Sequence, residues 1–176
     1  KSMGNGMPIS ALVGCKDSMK EFDKCFYSGT MFGETLSIAA AIATIDKVER
    51  DNVIPYLWSA GAHLETELAK ILQKYGPPYP IKTYGRPPQI KLEFFSVLGA
   101  TKEQIRTLFM QEMAQAGVLI ANCHGISFAH QEPEIKRILF AYRHTIGVLN
   151  DSLKAGDIAE RIGGNAVIPL VREATQ

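Results

Sequence analysis

The chain has 176 residues, 46% of them apolar and 21% charged, a globular composition with enough length for one sizeable core or two small ones. Its 19 Lys and Arg nearly balance its 18 Asp and Glu for a net charge of +1, and no segment concentrates the basic side chains, which argues against a nucleic-acid partner. The longest mainly apolar stretch, Leu36 to Ile45, is shorter than the roughly 20 residues a membrane-spanning helix needs, so no membrane partner is expected.

In chain order, a glycine-rich start, Lys1 to Pro8, reads as turns, and Ile9 to Gly14 as a short buried strand. Asp17 or Ser18 is placed to cap a brief helix through Lys24. A loop over Phe26 to Glu34 precedes the strongest helical signal in the chain. Thr35 or Ser37 caps it, and Leu36, Ile38, Ile42, Ile45 and Val48 form a broad apolar face bounded by Asp46, Lys47, Glu49 and Arg50. A second long helix is expected from Asn52 or Val53 to Tyr75, with Pro55 in its first turn and Gly76 closing it before Pro77 and Pro78.

Beyond a proline-rich turn at 77 to 80 the pattern changes. Ile90, Leu92 and Phe94 alternate with Lys91 and Glu93, as in a half-buried strand. Thr101 and Gln104 have the spacing of a capping box for a helix ending near Gly117. Val118 to Ala121 and Ile126 to Ala129 are short strand candidates, and Glu132 or Pro133 starts a helix to about Leu153. Strand, helix, strand, strand, helix is a small α+β module.

Two segments carry the chemistry. Lys1 opens a run with Gly4, Asn5, Gly6 and Pro8, a loop whose backbone can approach a ligand closely. Read locally, a solvated terminal lysine is the better reading, since GNG alone is a weak motif. Ser28, Gly29 and Thr30 stand just before a predicted helix start, where free N–H groups and the helix dipole favour an anion such as phosphate; an ordinary capping loop is the other local reading.

Together, Lys1 to Gly14 and Tyr27 to Ala43 resemble the class III aminotransferases, pyridoxal-phosphate enzymes of fold type I. The resemblance implies an α/β fold, with residues 1–50 ending the large cofactor domain and residues 51–176 forming a linking helix and the small α+β C-terminal domain. By resemblance, Lys1 is the catalytic lysine that holds pyridoxal 5'-phosphate as a Schiff base. Thr30 matches the threonine that binds the cofactor phosphate of the neighbouring subunit in a homodimer with shared active sites, and Ser28 and Gly29 shape that loop. A primary amine suits this task because it can bond to an aldehyde and, once deprotonated, act as a base.

The run Gly125-Ile126-Ser127-Phe128-Ala129-His130 looks like the glutamate-1-semialdehyde aminomutase branch of the family. Asn122 stands where that branch has glutamate, and Glu34-Thr35 replaces the usual Asn-Pro, which leaves the substrate open. Asn122, His124 and Arg86 are the substrate-pocket candidates. His130 is expected to set up the next helix, and His63 and His144 to be structural. The four histidines and three cysteines lack the short spacings of a zinc site, so no metal is expected.

The expected reaction is amino transfer from a donor, glutamate by the resemblance, to a carbonyl acceptor. An intramolecular 2,1-aminomutase is the alternative, and a noncatalytic interaction domain is a second. The resemblance implies an N-terminal part of the enzyme before Lys1, lying on a separate chain or upstream of a modified lysine. Cys15, Cys25 and Cys123, odd in number and without CxxC spacing, point to free thiols in a reducing cytoplasm.

Overall fold

The computed structural model describes residues 2–75 and 77–168, so Lys1 and Gly76 lie outside the described residues. The chain divides into two compact units, Lys1–Ile54 and Pro55–Gln176.

The first unit begins with turns over residues 2–7, where Asn5 N–H donates to the Ser2 carbonyl at 3.2 Å and Met7 N–H to the Gly4 carbonyl at 3.1 Å. A Cβ on Gly4 would lie 2.3 Å from the Met7 carbonyl oxygen, so this turn closes only on glycine. After it come α1 (Lys16–Lys20), a 3-10 turn (Phe22–Lys24) and α2 (Thr35–Arg50). The brief helix is thus shorter than expected. It starts after Cys15, whose side chain makes no capping bond, while Asp17 lies in the first turn and pairs with Lys20 at 2.9 Å.

Ile9 to Gly14, expected as a buried strand, has no regular structure and is largely exposed. A strand needs a neighbour for its backbone groups, and the described residues of this unit contain none. The apolar face of α2 likewise stays open: Ile38 is 42% exposed and Ile42 56%. Only Ala41 and Val53 are buried hydrophobics among the described residues up to Ile54, so the unit has almost no core of its own.

The second unit holds most of α3 (Val53–Lys74), then β1 (Ile81–Arg86), β2 (Gln89–Phe94), α4 (Lys102–Gln115), β3 (Cys123–Gly125), α5 (Glu132–Ala155) and α6 (Ile158–Arg161). The strands form an antiparallel sheet in the order β1-β2-β3. On β2 only alternate residues are buried, Ile90 and Leu92, as the period of two predicts. Leu64, Leu68 and Ile71 on α3 and Ile135, Leu139, Tyr142, Ile146 and Leu149 on α5 recur at helical spacing, and both sets join the sheet's buried face in one core with Ile105, Leu108 and Phe109 of α4. Burying each large apolar side chain contributes about 1.5–3 kcal/mol.

The helix ends follow from local chemistry. Thr101 Oγ1 accepts the Gln104 N–H and Gln104 Oε1 accepts the Thr101 N–H, completing the capping box of α4. Gln131 and Glu134 do the same for α5, which stops at Gly156 in the left-handed conformation. Gly61 is a contact glycine: a Cβ there would lie 2.0 Å from the Pro87 carbonyl oxygen, so α3 meets the β1–β2 turn backbone to side-chain-free backbone.

Two strands differ from expectation. β1 lies in a stretch between the turn at 77 to 80 and the expected strand, to which the sequence pattern assigns no element, and it is paired residue for residue with β2 from Ile81↔Phe94 to Arg86↔Gln89. β3 falls between the two candidates at 118–121 and 126–129. Pairing with β2 selects Cys123–Gly125, and flanking bonds from Leu92 N–H to the Asn122 carbonyl and from Ile126 N–H to the Pro88 carbonyl, both 2.9 Å, fix its register.

Candidate functional site

The residues that would hold a phosphate lie in the first unit. Ser28, Gly29 and Thr30 are all exposed, in a loop that turns sharply where Phe32 N–H donates to the Gly29 carbonyl at 3.0 Å. A Cβ on Gly29 would meet the Phe32 ring at 3.0 Å, so the bare glycine lets the ring fold under the loop. Phe32 in turn packs on Tyr27, and Tyr27 on Phe22, with ring centroids 4.8 and 5.3 Å apart. This aromatic run braces the loop from one side. A cleft of about 770 Å³ opens beside it, lined by Pro8, Ile9, Tyr27, Met31, Glu34 and Ser37 among others.

Helix α2 begins directly after this loop, but its N-terminus is not free. Glu34, rather than Thr35 or Ser37, is the N-cap, and its carboxylate accepts the Leu36 N–H at 2.8 Å and the Ser37 N–H at 2.6 Å. Hydrogen bonding from Ser37, and then from the Leu36 N–H, holds this carboxyl below the usual carboxylate range. The sequence signal was the spacing of Glu34 to Ser37, hidden because Ser, Thr, Asp and Asn are the preferred caps. Two hydroxyls and the backbone of an exposed turn still fit a phosphate. The N–H groups of Leu36 and Ser37 do not contribute, because they are already bonded.

Lys1 lies outside the described residues. The turns that follow it, with Asn5 and Gly6 at positive φ, fold the chain back immediately after that position.

The three substrate-pocket residues fall in the second unit, and the sheet separates them. Arg86 ends β1 opposite Gln89, on the exposed face, rather than lying free in a loop. His124 pairs with Ile90 on the core face, is 8% exposed, and its Nε2 lies 2.8 Å from the Tyr142 hydroxyl. It is a strand residue held on α5, which corrects its expected place in an open loop. Burial, then the nearby charge of His130, pushes its pKa down to about 4, and burial raises that of Tyr142.

Asn122 borders a cleft on the core-face side. That cleft, about 240 Å³, is also lined by Leu92, Phe94, Lys102 and Arg106. Arg106, which sequence reasoning did not single out, has a buried Nη1 without a hydrogen-bond partner.

His130 Nδ1 accepts the Ser127 N–H at 3.0 Å, closing the turn before α5, and His144 lies 3.4 Å from Glu112 on the adjacent helix. Among the described residues no group of three or more His, Cys, Asp or Glu could hold a metal, and no helix is long and apolar enough to cross a membrane.

Comparison with known proteins bears on both units. The family model "Aminotransferase class-III" matches residues 1–133. The chain is 27% identical over 156 residues to 3-aminobutyryl-CoA aminotransferase of Cloacimonas acidaminovorans (strain Evry), which covers 87% of this chain and 37% of that protein. It is 28% identical over 156 residues to glutamate-1-semialdehyde 2,1-aminomutase of Nitratidesulfovibrio vulgaris (strain DSM 19637 / Miyazaki F), covering 81% and 36%. Among solved structures, the pyridoxal-phosphate internal aldimine form of Sphingopyxis sp. MTA144 FumI protein aligns with TM-score 0.73 at 22% identity, over 87% of this chain and 36% of that one. An omega-transaminase from Sphaerobacter thermophilus aligns with TM-score 0.70 at 16% identity, over 84% and 37%. The shared fold is that of the fold type I transaminases. The chain spans a little over a third of the length of these relatives.

Proposed function

We propose, from the premise that this chain belongs to the class III aminotransferase family, that it is the C-terminal part of an enzyme that moves an amino group from a donor to a carbonyl acceptor. The observation that carries the reading is the family match itself, which runs from Lys1 through the Ser28–Thr30 loop and into the second unit. Family members use pyridoxal 5'-phosphate, which when bound supplies an electron sink for the carbanion left by deprotonation beside the amino group.

Each part of the chain then has a task. The Lys1 amine anchors the cofactor and, when neutral, takes the proton from the donor carbon and returns it. Ser28 and Thr30 hydroxyls donate to phosphate oxygens, with Thr30 serving the cofactor of the neighbouring subunit in a homodimer. The second unit is the small domain that closes over the substrate and excludes water. Asn122, at its exposed cleft, is the residue we retain for substrate contact. Arg86, exposed on the other face of the sheet, is the weaker choice, and His124 holds β3 on α5.

The bare apolar face of α2 and the nearly coreless first unit support an enzyme whose remaining large domain and second subunit supply the missing contacts. The free thiols Cys15, Cys25 and Cys123 support a cytoplasmic location. Glutamate is the proposed donor.

A second reading, intramolecular aminomutase activity, draws on relatives that carry that name. Asn122 in place of glutamate weighs against it. Incubation of the full-length protein with glutamate separates the two: 2-oxoglutarate released only when an acceptor is supplied supports transfer, and isomerisation of a semialdehyde without acceptor supports the mutase. Borohydride reduction with peptide mapping tests both, since a protein with no pyridoxyl adduct on Lys1 is not this enzyme.

A further inference from the structure

We infer that Glu34 is a built-in competitor of the phosphate group, weakening the hold of the loop at 28–30 by presenting a fixed negative charge where a helix would otherwise present its positive end. The inference rests on the cofactor reading of that loop.

A helix start offers N–H groups and a partial positive charge, and both draw an anion. In α2, a helix of 16 residues, the Leu36 and Ser37 N–H groups are taken by the two carboxylate oxygens of Glu34, one each, at 2.8 and 2.6 Å. The helix end is therefore neutralised from within.

The charge is also close to the loop. Glu34 N–H donates to the Met31 carbonyl, a turn that keeps the Cα atoms of these residues within about 7 Å, and Met31 follows Thr30 directly. We take the separation of a dianion held by the Thr30 hydroxyl from that carboxylate as about one screening length, roughly 8 Å. At such a distance in a water-like medium, screened repulsion between one carboxylate and a phosphate dianion corresponds to a complex about twofold weaker.

Two substitutions isolate the charge from the cap. Glu34→Gln keeps an acceptor oxygen at the same reach, and Glu34→Asn supplies a favoured N-cap residue without charge. The measurement is the dissociation constant of pyridoxal 5'-phosphate and of pyridoxal, which lacks the phosphate, titrated into the full-length apoprotein.

Both variants are expected to bind pyridoxal 5'-phosphate about twofold more tightly than wild type, with pyridoxal unchanged and the difference shrinking at high salt. Unchanged or weaker binding of the phosphorylated form in both variants overturns the inference, as does an equal shift for pyridoxal. A wild-type protein that binds no pyridoxal 5'-phosphate at any concentration refutes the cofactor reading and this inference with it. Far-UV circular dichroism of both variants, matched to wild type, ties any change in affinity to charge rather than to loss of α2.

Discussion

Acidification between pH 6.5 and 4 is expected to weaken the second unit through one buried imidazole. His124 is 8% exposed, faces Tyr142 at 2.8 Å and lies within the field of His130, and it stays neutral in the folded state down to about pH 4. In the unfolded chain an imidazole takes up a proton near pH 6.5. Over the interval between, the unfolded state binds the extra proton, so stability is full above about pH 6.5 and falls as pH drops toward 4. At about 1.4 kcal/mol for each pH unit of that interval, the loss reaches about 3 kcal/mol at its lower end. The assay is urea unfolding of the chain followed by Trp58 fluorescence at a series of pH values, for wild type and for His124→Asn. The variant should be less stable at neutral pH, because Tyr142 loses its partner, but its stability should fall less steeply with acid. Identical slopes for the two proteins from pH 6.5 to 4.5 would refute the assignment of a neutral, core-held His124.

Gly61→Ala should destabilise the second unit by about 1–3 kcal/mol in the same unfolding assay, since the added carbon meets a backbone carbonyl that cannot rotate away; an unchanged midpoint would show that α3 and the β1–β2 turn are not in contact at this point. The shared active sites proposed above predict complementation: homodimers of Lys1→Ala and of Thr30→Val are each impaired, whereas mixed dimers regain one intact site and with it up to half of the activity per dimer. Mixed dimers no better than their parents would place both residues in the same subunit's site.

Those elements that depend on short-range chemistry were legible from residues alone. The Thr101–Gln104 capping box, the β2 alternation of Ile90 and Leu92, and the long period of α5 each need only neighbours within a few positions. β1 escaped notice because Gly85 and the flanking prolines resemble turn chemistry, and only pairing with β2 makes Tyr84 and Arg86 strand residues. β3 is three residues long, and nothing in Cys-His-Gly marks a strand until Lys91 and Ile90 select it. The opposite failure occurred at Ile9 to Gly14, where apolar residues suggested a strand but no partner lies in the described residues of that unit. At the candidate site, the loop at 28–30 could be located from its position before a helix. The occupant of the helix end could not, because Glu34 is a poor cap by residue type and a good one by geometry.

Ile38, Ile42 and Ile45 line up on the uncovered side of α2, and Phe26 in the preceding loop is 97% exposed. Produced alone, a polypeptide with such a strip is prone to self-association and to capture by chaperones. The yield of soluble material is then governed less by the well-packed second unit than by whatever covers these three side chains. Co-expression with the rest of the enzyme, rather than stabilisation of the core, is the way to obtain it in quantity.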